Sequence, residues 1–144
     1  MPGDAATGGG IYIIRHGEKP PDPPPAAHGK PAAPTPPFGV DDQGNQDAHS
    51  LLPRRWQRSG ALGVLFDPAL AALQAGLRVP TALLSPSYGD QGKTTAHRTY
   101  QTIQGLSGRL GLQIAADFAE GQEPQLAASV VSSYSGVVLI CWGA

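Results

Sequence analysis

The sequence predicts an α/β fold, a three-layer α/β/α sandwich with a mostly parallel sheet, built as one domain over residues 1–144. Three observations predict it. Unbroken apolar runs stand at Ile11-Tyr12-Ile13-Ile14 and at 137–141, the pattern of strands buried on both faces. Between such runs lie segments whose apolar residues recur at helical spacing. The 19 Gly and 15 Pro are clustered, so the low apolar fraction of 40% points to one long loop and not to general disorder.

In chain order, residues 1–9 are small and Gly-rich and read as a disordered tail. The first strand covers 11–14 and stops at Arg15-His16-Gly17. Residues 19–49 form a Pro-rich loop, extended, partly polyproline II and mobile. Its simplest role is a surface excursion. A lid or substrate-selecting loop is the sharper alternative, because the stretch leaves directly from His16. A helix follows over 53–66, with Trp56, Leu62, Leu65 and Phe66 on its apolar face and Trp56 and Phe66 in the core. Asp67-Pro68 opens a second helix over 69–75, which Gly76 ends. Residues 80–84 read as a strand, closed by Ser85-Pro86, and a polar loop runs from Ser87 to Lys93. Thr94 or Thr95 caps a long helix to about Leu110, striped by Tyr100, Ile103, Leu106 and Leu110. A short strand at 112–115, a loop holding Asp117, Glu120 and Glu123, a helix over 124–134 and the strand at 137–141 complete the order.

Composition excludes several function classes. Ten basic and 11 acidic residues give a formal charge of −1, which offers no footprint for DNA or RNA. A small anion needs only a local positive cluster and stays open. The single Cys141 cannot form an intramolecular disulfide. The first ten residues lack the basic and apolar regions of a signal peptide, and no apolar stretch reaches the ~20 residues of a membrane span. The expectation is a cytoplasmic protein with no membrane partner.

In open parallel sheets ligands bind beyond the carboxyl ends of the strands. Arg15-His16-Gly17-Glu18, Ser85-Pro86 with Arg98 nearby, and Cys141-Trp142-Gly143-Ala144 all fall at such ends. Two arginines and a histidine aimed at one crevice suggest phosphate binding, since guanidinium pairs bidentately with phosphate and keeps its charge. Each residue also has a plainer role. His16 could cap or be solvated, Arg98 could be a helix-surface charge, and Glu18 a loop carboxylate or a partner of Arg15. His28, His49 and Lys93 read as solvated; His97 is divided between phosphate contact and surface.

Ile13-Ile14-Arg15-His16-Gly17-Glu18 resembles the signature of the histidine phosphatase superfamily, which includes the phosphoglycerate mutases. Arg98-Thr99-Tyr100-Gln101-Thr102 resembles that family's second element. The likeness runs from about Gly10 to Trp142, broken by the Pro-rich loop, and is nearer a branch with Arg-His-Gly-Glu-Lys-Pro and a late Cys-Trp-Glu-His element than the glycolytic mutases. The resemblance implies phosphomonoester hydrolysis with His16 as nucleophile and a phosphohistidine intermediate. Arg15 and Arg98 would clamp the phosphoryl oxygens and Gly17 would admit the phosphate. Glu123 or Glu120 would donate the proton, with Glu123 preferred for its Gly121-Gln122-Glu123 context. It implies no cofactor and no metal, and as partner a small phosphorylated substrate or inorganic phosphate. The chain departs from the pattern at Gly143-Ala144, where Glu-His is expected. On the resemblance, the second catalytic histidine is lost, at a cost on the order of 10²–10³ in rate. The C-terminal helix and strand are missing too, and apolar sheet surface should be exposed. A non-catalytic phosphate-binding pseudoenzyme or a gene fragment is the alternative.

Overall fold

The computed structural model describes residues 9–17, 25, 28–29, 36–87 and 96–143. The tail at 1–8, Glu18, most of 19–35, the loop at 88–93 with Lys93, the Thr94 or Thr95 cap and Ala144 lie outside the described residues. The elements run β1 (Gly10–Arg15), α1 (Pro53–Phe66), β2 (Ala82–Leu84), α2 (Ala96–Leu110), β3 (Ile114–Ala115), α3 (Glu123–Ser133) and β4 (Val137–Trp142). The strands form one sheet, every pairing parallel, in the order β1-β4-β2-β3. This is the expected α/β fold.

Two hydrophobic clusters define the layers. On one face Phe66, Ile103 and Leu106 from α1 and α2 pack on Leu83, Leu139 and Cys141. On the other, Leu126 and Val130 of α3 pack on Leu84, Val138 and Ile140. Alternation along each strand sends neighbours to opposite faces, so β4 can be apolar throughout and fully used. Val137 to Cys141 are all buried, as an internal strand requires. Each element between strands is amphipathic enough to cover one face, and α2 keeps the expected stripe, with Ile103 and Leu106 fully buried.

β1 departs from expectation. It is an edge strand, and its burial alternates instead of being complete. Tyr12 and Ile14 face the α1/α2 cluster, whereas Ile11 and Ile13 remain 55% and 73% exposed. The cause is coverage: α3 packs over β2 and β4 and does not reach β1. Exposed apolar sheet surface is therefore present there. A groove of ≈ 340 Å³ between Ile11, Val131, Tyr134 and Val138 marks its border with α3.

Other expectations are corrected. No helix forms over 69–75; Leu70 is wholly exposed, and Asp67 ends α1 by donating its backbone N–H to Gly63 O. Good helix formers there lack an apolar face to dock, and a segment that short cannot hold a helix by propensity alone. Gly76 instead takes φ +86° in a turn. Trp56 is only half-buried, and its indole N–H donates to Val40 O at 2.9 Å, while Leu65 is exposed. The buried stripe of α1 is Ser59, Gly63 and Phe66. Its small residues let the helices cross closely: a Cβ on Gly105 of α2 would stand 3.0 Å from Ser59 O.

The end of the Pro-rich loop is not extended either. Val40 and Gln46 form an antiparallel bridge around a turn in which Asp41 Oδ1 accepts from the backbone N–H groups of Gln43 and Asn45. Asp41, at the head of Asp-Asp-Gln-Gly-Asn, supplies this turn, and Gly44 takes the required positive φ. Among the described residues no helix is long and apolar enough to cross a membrane.

Candidate functional site

Parallel pairing places the ends of β1 and β4 side by side, with Arg15 in register with Trp142. Beyond Arg15 the chain must turn, and Gly17 is what allows the turn to pass close to two neighbours. A Cβ there would lie 3.2 Å from Leu51 Cδ2 and 3.3 Å from Arg55 Cβ. The Gly17 N–H donates to Thr102 Oγ1 at 3.0 Å, and the Thr102 hydroxyl donates to Arg98 O at 2.6 Å. The turn is thus fastened to α2.

His16, half-buried, is oriented by its own turn. Its Nδ1 lies 2.5 Å from Gly17 O. A carbonyl oxygen only accepts, so Nδ1 carries the proton and the neutral ring keeps its lone pair on Nε2. That tautomer is what a nucleophilic imidazole requires.

α2 presents Arg98, Gln101 and Thr102 on one face, three and four residues apart. Arg98 is 7% exposed, and its Nη2 donates to Ala48 O at 2.7 Å. Gln101 Oε1 accepts from Leu51 N at 2.8 Å, and Gln101 Nε2 donates to Ser50 Oγ at 2.7 Å. Ser50 in turn donates to Asp47. Burial raises the Asp47 pKa, but the Ser50 hydroxyl, the His49 N–H and the charges of His97 and His49 outweigh it, so the carboxyl titrates below its ordinary value. His97 Nδ1 stands 3.7 Å from Asp47 Oδ2 and its ring meets that of His49. His49 is accordingly half-buried and not a solvated side chain, while His28 is exposed.

A cleft of ≈ 250 Å³ opens beside the turn. The end of β1 contributes Ile14, Arg15, His16 and Gly17, and α2 contributes Thr102. The opposite wall is α1, through Arg55, Arg58, Ser59 and Leu62. Arg15, His16 and Gly17 are therefore brought together, and Arg98 sits one helical turn before Thr102 without lining the cleft itself. Sequence reasoning missed Arg55 and Arg58. The signal was their spacing with Ser59 and Leu62, a stripe that falls on one helical face.

The two candidate acids lie beyond the end of β4. Glu123 is exposed at the start of α3, and its Oε1 accepts from Gly121 N at 3.0 Å and Trp142 Nε1 at 2.9 Å. The Gly121 N–H first, and then the Trp142 indole, hold its carboxyl below the usual value. The Glu120 carboxylate lies against Gly143, where a side-chain Cβ would overlap it. Neither acid lines the cleft. Burial pushes the Cys141 thiol up to about 12, opposed by a hydrogen bond with Thr102, so this cysteine stays a packed thiol. Among the described residues no three His, Cys, Asp or Glu side chains converge as a metal site would need.

No family model, no curated protein and no solved structure matches this chain.

Proposed function

We propose that the chain acts on phosphomonoesters, with His16 as nucleophile, in the manner of the histidine phosphatases that its motifs resemble. The single observation that carries this reading is the geometry at His16: Nδ1 engaged with Gly17 O, which leaves the lone pair of the neutral ring on Nε2, and Arg15 beside it in one cleft. In the proposed step, the Nε2 lone pair attacks phosphorus, the P–O bond to the alcohol breaks, and a phosphohistidine forms. Water then attacks that intermediate, giving up a proton to the carboxylate that had protonated the leaving oxygen, and the P–N bond breaks to release inorganic phosphate and return His16 to its starting state. Arg15 would neutralise the phosphoryl oxygens, with Arg98 as the second arginine. Such clamping supplies much of the catalysis, because phosphoryl transfer demands positioning and charge stabilisation more than covalent help.

The leaving oxygen needs a proton. The bonds at Glu123 favour its ionised form, the opposite of what a donor requires, which favours Glu120 for the role.

A second reading is supported by one observation: among the described residues lining the cleft, His16 is the only histidine. A module that binds phosphate without turning it over needs no more than that.

Incubation with p-nitrophenyl phosphate radiolabelled in its phosphoryl group, with quenching in alkaline detergent because the P–N bond of phosphohistidine is acid-labile, separates the two. The hydrolytic reading expects turnover and label that both vanish in His16→Ala. Saturable vanadate binding that weakens in Arg15→Ala, with no turnover, would select the binding module. Absence of turnover, label and vanadate binding together sinks both.

A further inference from the structure

We propose that Thr102 is the positioning residue of this site: through Gly17 it decides which nitrogen of His16 faces phosphorus. The role rests on the reading of His16 as nucleophile; the bonds behind it do not. His16 Nδ1 is held by Gly17 O at 2.5 Å, a contact between adjacent residues. That carbonyl is therefore only as fixed as Gly17 itself. Glycine has the widest backbone freedom of any residue, and Leu51 and Arg55 leave a side chain little room at this position. The site thus needs a residue without a side chain and an external hold on its backbone. Thr102 is that hold: its Oγ1 accepts the Gly17 N–H at 3.0 Å, across 85 residues of chain.

The hydroxyl is itself fixed from two further sides. Its proton goes to Arg98 O at 2.6 Å, within α2. The Cys141 thiol, fully buried on β4, is also bonded to the Thr102 side chain. Thr102 has no second proton to give, so the thiol is the donor. Burial, which pushes that thiol up to about 12, keeps its proton in place. One donated and two accepted bonds use the full capacity of a hydroxyl. Thr102 lines the cleft, yet it has no proton left for a phosphoryl oxygen, so it acts on the reaction through Gly17. The Gly17 N–H is likewise engaged and is not offered to the anion. β1, β4 and α2 thus meet at one oxygen, which ties the attacking ring to the core of the sheet.

Thr102→Val keeps the shape and removes the hydroxyl, whereas Thr102→Ser keeps the hydroxyl. Both are made in the full chain, with folding checked by circular dichroism. The His16 tautomer is read from its imidazole nitrogen shifts at about pH 9, where imidazole is neutral. The parent should show the proton on Nδ1. Thr102→Val should shift His16 to a mixture of tautomers and lower kcat for p-nitrophenyl phosphate about tenfold, with KM little changed. Thr102→Ser should restore both. Lost turnover with the tautomer unchanged, or a loss that serine does not restore, makes Thr102 merely structural and overturns the proposal. So does a valine variant with parental kcat and tautomer. Should valine prevent folding, hydrogen exchange in the parent still decides: the Gly17 amide should be protected, and exchange at the rate of an open amide overturns the proposal. If the parent turns over no ester, the phosphatase reading alone fails, and the tautomer still tests what Thr102 does.

Discussion

The residues that follow β1 and β4 leave the same end of the sheet from neighbouring strands, yet they are secured by different means. Gly17 is bonded to Thr102 of α2 and wedged between Leu51 and Arg55, and His16 is bonded within the turn. Around Gly143 the partners are exposed carboxylates: Glu123 holds the Trp142 indole, and Glu120 rests against the backbone. His16 and Gly17 are fixed by packing against two helices; Trp142 and Gly143 meet their partners at the surface. A nucleophile must meet phosphorus within tenths of an ångström, whereas a proton donor on a flexible side chain tolerates more latitude. On the proposed reading, with His16 as nucleophile and a carboxylic acid near Gly143 as proton donor, the contrast in attachment would serve that contrast in demand.

Substitutions at the two ends should therefore differ sharply. The largest loss is expected for Gln101→Ala, which strips partners from the buried Leu51 N–H and Ser50 hydroxyl behind the first turn; about 3 kcal/mol should disappear from urea unfolding. A loss below about 1 kcal/mol would show that the buried bonds do not set the rigidity of this end. Next comes Gly17→Ala, whose methyl must push Leu51 and the helix-bound Arg55 aside, at a cost of about 1–2 kcal/mol. Turnover in the same variant should fall on the order of tenfold or more as His16 shifts. Retained turnover would mean the turn is less exacting than its packing suggests.

Smaller effects sharpen the picture by pH. The Asp47 carboxyl has a lowered pKa in the folded state, so its contribution is complete above its unfolded value, about 4, and is lost as pH falls through the lowered folded value. The urea midpoint of the parent should drop across that window, and Asp47→Asn should flatten the drop. The same sign applies to Glu123, whose pKa is also depressed, but its side chain is exposed. Glu123→Gln should accordingly leave the melting temperature at neutral pH indistinguishable from the parent. A fall of several degrees would abolish the distinction between the two strand ends.

How much of this was legible beforehand varied with the kind of signal. Strands announced themselves through apolar runs, and α2 through Ile103 and Leu106, because those residues find burial from their own spacing. The helix expected over 69–75 failed because propensity says nothing about whether a docking face exists. At the site, Arg15, His16 and Gly17 were evident as a motif after a strand, and the structure does gather them in one cleft. Arg55 and Arg58 were not, for a rotational reason. Placing Trp56 and Leu65 on the buried face turns α1 away from its true orientation. The actual contact stripe is Ser59, Gly63 and Phe66, mostly small residues that carry little hydrophobic signal. Only with that stripe known does the arginine face meet the cleft. Gln101 and Thr102 were read with Arg98 as one motif; their hydrogen bonds assign them to holding the surrounding backbone.

Those attachments also bear on how the protein can change. The chain departs from α2 at Gly17, through Thr102, and rejoins it at Ala48 and Leu51, through Arg98 and Gln101. Everything between these moorings begins and ends on a single rigid helix. Closing a longer segment across fixed points costs only about 0.6 kcal/mol per doubling of its length. Insertions and deletions between Gly17 and Val40 can thus accumulate without dislodging His16.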